Sequence, residues 1–168
     1  MQKVEVTQAT PQELVEAGQL AIGFGLPYGA AEQVVIARCG DAVVATAQVR
    51  KLDASDAFDD AFGATWDISE PDVDGQHALG MTRVALAHAG DWLSLARHGV
   101  TLADERGVAW VVMILPIEAE PHVLSIAGTL DGGRIWFLAR ELGTVAIIAV
   151  SEESLAAITR LEARRGPS

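Results

Sequence analysis

The chain has 168 residues, half of them apolar and few of them aromatic, enough for one domain with a core of Ala, Val, Leu and Ile. Its formal charge is −11, from 12 Lys and Arg against 23 Asp and Glu. That balance excludes a function built on gripping nucleic acid or an anionic membrane, because both depend on clustered cations.

Val4 and Val6 alternate with polar neighbours and predict a short opening strand. A helix start follows: Thr10 caps, Pro11 takes the first helical position, and Glu13 completes a capping box. That helix is expected to stop near Gly23. Gly25-Leu26-Pro27-Tyr28-Gly29 reads as a tight connector. The apolar positions Val34, Val35, Ala42, Val43, Ala45 and Val49 predict a second, longer helix from about Ala30 to Lys51, with Gly40 as a weak point inside it. The first fifty residues therefore read as a helical hairpin.

Between Asp53 and Asp74 stand eight carboxylates without one Lys or Arg. Phe58, Phe62 and Trp66 are spaced by four in the same stretch, which predicts a short acidic helix with an aromatic stripe. A third helix is predicted from about Met81 to His98. Val108 to Leu115 is rich in Val and stopped by Pro116, so it reads as a buried strand. Ile135, Leu138, Ala139 and Leu142 predict a helix closed by Gly143. Thr144 to Val150 reads as a second buried strand. Ser151 then caps a last helix through about Arg164, with Glu152 and Glu153 in its first turn. The segments Leu102–Gly107 and Leu138–Gly143 echo each other as helix ends running through Gly into a strand. The expected fold is α+β over a single domain, 1–168: a helical N-terminal half packed with a small sheet from a C-terminal β-α-β-α unit.

No phosphate loop, dinucleotide fingerprint, nucleophile elbow or paired-cysteine metal site is present. Cys39 is the only cysteine. It sits in an apolar stretch, where a thiol is usually inert. His88 and Asp91 share a helical face, and His98 reads as a cation at a helix C-terminus. No metal and no cofactor is expected, because no two histidines stand four apart as helical metal ligands do. The best acid–base candidates are His122 with Glu118 or Glu120, which follow the strand from Val108. Ser151, Glu152 and Glu153 hold the corresponding place after the other strand. Ligands of open α/β sheets bind at such strand ends. The expected catalytic set is His122, Glu118 and Glu152.

Gly23-Phe24-Gly25-Leu26-Pro27-Tyr28-Gly29-Ala30-Ala31-Glu32, after Pro11-Gln12-Glu13-Leu14, resembles the opening of a bacterial domain-of-unknown-function family. There a helix runs into a Gly-x-Gly-x-x-aromatic-Gly-x-Ala-Glu turn and a second helix. More loosely, residues 10–50 resemble the N-terminal helical hairpin of the malate/L-lactate dehydrogenase family. Neither resemblance supplies catalytic residues here.

The functional expectation is a small-molecule metabolic enzyme or enzyme subunit of unassigned reaction. The alternative is a non-catalytic accessory or regulatory protein working through protein–protein contacts. The residues at its start lack a signal-peptide layout, and the single cysteine fits a reducing compartment, so a cytoplasmic protein is expected. Positive mean hydropathy points to apolar surface shared with another chain, and hence to a homo-oligomer or a subunit of a complex. A small-molecule ligand is compatible with these readings; nucleic acid and membrane are not expected as partners.

Overall fold

The computed structural model describes residues 4–8, 34–53, 77–126, 135–140 and 143–164. Seven strands form one mixed sheet: β1 (Val4–Gln8), β2 (Val34–Cys39), β3 (Ala42–Asp53), β4 (His77–Leu86), β5 (Trp110–Pro116), β6 (Ile135–Arg140) and β7 (Gly143–Ala149). Among the described residues three α-helices accompany it: α1 (Trp92–Glu105), α2 (Glu120–Ile126) and α3 (Glu152–Arg164). The sheet order is β1-β2-β3-β4-β5-β7-β6. Every pair is antiparallel except β4 with β5, the one parallel pair among the described strands.

This overturns the expected helical half packed on a small sheet. The stretch predicted as a helix from Ala30 to Lys51 contains β2 and β3. They join at Gly40 and Asp41 with Gly40 at φ 63°, a conformation that Gly adopts without steric cost. The Arg38 side chain donates to the Asp41 carbonyl at 3.1 Å and braces the turn. Val34, Val35, Ile36 and Ala37 are all buried. Consecutive burial means the strand is covered on both faces, so the period-two signature of a half-exposed strand is lost. A run of that kind mimics a buried helix, and only its β-branched content separates the two.

Two further helices are corrected in the same way. Residues 81–86 belong to β4, and the helix begins only at Trp92. Residues 135–140 form β6 on the edge of β7, not a helix. The echo between the segments at 102 and 138 therefore has no structural counterpart. The strands from Val108 and Thr144 and the last helix are found where expected, but β5 and β7 run antiparallel. The opening strand at Val4 is present. The helix from Thr10, the connector at Gly25 and the acidic aromatic stretch Asp56–Asp74 lie outside the described residues.

The main core lies between one sheet face and the helices. Val35, Ala37, Leu79, Met81, Val111, Met113 and Ile148 meet Trp92, Leu95, Ala96 and Val100 of α1 and Ile158 and Leu161 of α3. Gly99 of α1 lies against the sheet: a Cβ added there would stand 2.7 Å from Met81 Sδ and 3.4 Å from Val111 Cγ1. Glu162 of α3 accepts from Arg97 Nε at 2.6 Å and from Ser94 Oγ at 3.2 Å, tying α3 to α1. The end of α1 reverses at Gly107, φ 69°. There the Val108 N–H bonds the Ala103 carbonyl at 2.8 Å and the Gly107 N–H bonds that of Asp104 at 3.1 Å, the two bonds of a Schellman motif.

Candidate active site

The parallel pair is short. Ala78 to Met81 of β4 face Trp110 to Met113 of β5, and the pairing stops there. Beyond Met81, β4 stays on β3, through Thr82↔Gln48, Ala85↔Thr46 and Leu86↔Ala45. Beyond Met113, β5 stays on β7, through Ile114↔Val145, Leu115↔Thr144 and Pro116↔Gly143. The two strands thus part in the middle of the sheet and leave a wedge between 82–86 and 114–116.

A local irregularity accompanies the parting. Between Thr82 and Ala85, β4 advances three residues while β3 advances two, from Gln48 to Thr46. That is a β-bulge, which bends its strand and ends regular pairing. It begins one residue after the last β4–β5 pair. The exposure of β5 registers the result. Trp110 and Val112 are buried, whereas Ile114, next on the same face, is 48% exposed. This face of the sheet is therefore left uncovered at the residue where β4 and β5 have parted.

The same end of the sheet carries the turn into α1 and the segment after β5. Ala89–Asp91 forms a 3-10 turn leading into α1. Asp91 is buried, and its Oδ2 accepts the His88 backbone N–H at 2.9 Å. That is half of a capping box, and it places a carboxylate of the chain itself where a helix start favours an anion. After β5, Ile117–Ala119 makes a 3-10 turn and α2 follows. Trp92, the first residue of α1, is fully buried. Its indole N–H donates to His122 Nδ1 at 2.9 Å. The Trp92 ring also makes edge-on contacts with His122, centroids 6.1 Å apart, and with Phe137 of β6, 5.8 Å apart.

The sequence-predicted residues separate into two groups. His122, half-buried, and Glu118 and Glu120 lie at the wedge end. Glu118 is exposed. Glu152 is exposed at the start of α3, after β7. Because β7 is antiparallel to β5, its last residue, Ala149, pairs with Trp110 at the far end of β5. A strand of this length puts roughly 20 Å between the two ends. Glu152 is therefore not brought together with His122 and Glu118. Ser151 caps α3, accepting the Ser154 N–H at 3.1 Å.

Cys39 is half-buried at the β2–β3 turn. His98 stands midway along α1, not at its end. Burial holds its imidazole below the ordinary histidine range, and Arg97 pushes the same way; Glu105 opposes them and Arg106 adds to the lowering. Among the described residues no group of three His, Cys, Asp or Glu side chains is placed to hold a metal ion. Among them, too, no helix is long and apolar enough to cross a membrane.

No protein-family model matches the sequence, and no curated protein matches it either. Solved structures do match the fold. The chain resembles the AHL synthase LasI at 12% identity and TM-score 0.58, over 94% of this chain and 95% of that one. It resembles an acetyltransferase of the GNAT family from Listeria monocytogenes at 14% identity and TM-score 0.52, over 87% and 94%. It also resembles a chain of the NatC complex bound to Gag peptide and CoA at 10% identity and TM-score 0.53, over 89% and 99%. The fold is GNAT-like. This corrects the resemblance to a domain-of-unknown-function family and to the dehydrogenase hairpin. Residues 34–53, within the stretch that carried it, are a β-hairpin of the GNAT-like sheet and not a second helix. The wedge escaped the sequence reading because no residue motif marks it. It arises from strand order and a bulge, and its one local trace is an Ile114 that looks like ordinary core.

Proposed function

We propose that the chain is an acyltransferase that takes an acyl thioester into the wedge between β4 and β5. The parting of the two parallel strands is the observation that carries this reading. The facing backbone edges of 82–86 and 114–116 no longer pair with each other. An extended arm bearing amides, such as the pantetheine of coenzyme A, suits such edges because its amides substitute for ladder bonds. The GNAT-like fold supports the same reading, since similar chains include an acetyltransferase and an AHL synthase. The coarse expectation of a small-molecule metabolic enzyme fits it, and the accessory-protein alternative draws nothing from the wedge.

In the proposed reaction an amine attacks the thioester carbonyl. The C–N bond forms, the C–S bond breaks, and the thiolate leaves and takes a proton from solvent. Glu118, exposed at the wedge end, accepts the proton lost by the amine and passes it to solvent. His122 stands at the same end. Glu152, at the opposite end, has no part. The carboxylate of Asp91 occupies the start of the turn into α1, so the donor is held by its thioester arm more than by its phosphates.

The test is thiol release from acetyl-CoA and longer acyl-CoA with a panel of small amines, run beside the matching S-acyl pantetheines. Amine-dependent thiol release is expected, with the pantetheine esters serving as donors too. If no thioester is bound or cleaved under any of these conditions, the reading fails.

A further inference from the structure

The pairing of Trp92 with His122 sets a proton position. An indole N–H only donates, so the imidazole nitrogen it meets must offer a lone pair. That nitrogen is Nδ1, 2.9 Å from the indole nitrogen. Trp92 is fully buried, with Phe137 edge-on to its ring, so the indole has no room to turn its N–H elsewhere. Among the described residues no buried side-chain nitrogen or oxygen is left without a partner, and for Trp92 that condition is met by His122.

We infer that Trp92 is a positioning residue that locks His122 in the tautomer carrying its proton on Nε2. His122 then serves the site as a hydrogen-bond donor and not as a general base. A lone pair on Nε2 would require the proton to sit on Nδ1, directly opposite the indole N–H. With the proton on Nε2, the imidazole instead offers an N–H to a carbonyl oxygen or to the charge that develops on it. The role as donor rests on the acyltransferase reading; the locked tautomer does not. This revises the acid–base assignment that its position after β5 invites.

Two measurements separate these claims. Long-range proton–nitrogen NMR on the full chain reads the tautomer with no substrate present. The expected spectrum shows a bare Nδ1 and a protonated Nε2 at His122, and a slowly exchanging Trp92 indole proton that exchanges quickly in His122→Ala. Trp92→Phe is expected to give a mixture of tautomers. A protonated Nδ1 in the unaltered chain, or an indole proton indifferent to His122→Ala, overturns the lock.

The second measurement is thiol release by the variants. Glutamine places an amide N–H near the position of Nε2, so His122→Gln is expected to retain activity within about tenfold, while His122→Ala loses about 100-fold, as for a lost oxyanion donor. Equal losses in both variants overturn the donor role. If the unaltered chain cleaves no thioester, the acyltransferase reading falls and takes the donor role with it, while the NMR result still decides the tautomer.

Discussion

His98 shows how one side chain couples the fold to pH. It lies midway along α1, half-buried and flanked by Arg97, and its imidazole titrates below the ordinary histidine range, chiefly through burial. The sign of the linkage follows. The unfolded chain takes up a proton at this residue near pH 6.5, while the folded chain resists it until lower pH. The stability is therefore fully present above about pH 6.5 and declines as pH falls toward the folded value. His98→Gln removes this dependence. Between pH 7.5 and 5, the melting temperature of the unaltered chain is expected to fall more steeply than that of His98→Gln. Parallel curves for the two proteins would show that His98 does not carry the effect.

At the scale of elements, α1 meets the sheet at Gly99, where there is no space for a side chain without movement of Met81. The Gly99 hydrogen faces Met81, the last β4 residue paired with β5, and Val111. The close approach thus lies beneath the point where the strands part. An added methyl at Gly99 would gain about 1 kcal/mol of helix propensity but overpack a buried Met81 at a cost of about 1–3 kcal/mol. Gly99→Ala is expected to lower stability by about 1 kcal/mol in urea denaturation. Met81→Val withdraws Sδ, so the double variant should lose less than the sum of the singles. Strict additivity would mean the two residues do not press on each other.

The same scale explains what the sequence disclosed. The strands from Val108 and Thr144 were legible because each is a short Val- and Ile-rich run bounded by Pro or Gly. The last helix was legible from Ser151, Glu152 and Glu153, a cap and two favourable first-turn charges. Val34–Ala37 and Ala45–Ala47 read as helix because both sheet faces are covered there, which erases the alternation that identifies a strand. Ile135–Arg140 reads as helix because Ile135, Leu138 and Ala139 happen to fall at helical spacing with Leu142, which lies outside the described residues. At the candidate site, the rule that ligands gather at strand ends points to His122 and Glu118, and both lie in the segment that follows β5. Glu152 was drawn in by the same rule under the assumption that β5 and β7 are parallel, and strand direction is set by β6, which the sequence did not reveal as a strand.

Across the described strands, the sheet is an antiparallel ladder interrupted at its centre by one parallel pair whose strands part. Two strands start together at Ala78 and Trp110 and end apart at Leu86 and Pro116. Ile114 is the clearest side-chain marker of that parting, half exposed in a strand whose other neighbour, β7, holds buried partners. Its exposure makes it a probe that can be enlarged without disturbing the core. Ile114→Trp should leave global stability within about 0.5 kcal/mol of the original, as for most surface substitutions, because the new ring projects from the uncovered face of β5, beside the wedge, and not into packed side chains. On the proposed acyltransferase reading the same ring would crowd the thioester arm, so affinity for acetyl-CoA, measured by calorimetric titration, is expected to fall at least about tenfold, or 1.4 kcal/mol. Exposure alone would allow Ile114 to be a surface residue of no consequence, and the two measurements together separate the cases. Unchanged stability with weakened binding places the donor in the wedge. Unchanged stability with unchanged binding removes the wedge from the binding site and leaves the parting of β4 and β5 a feature of the fold alone.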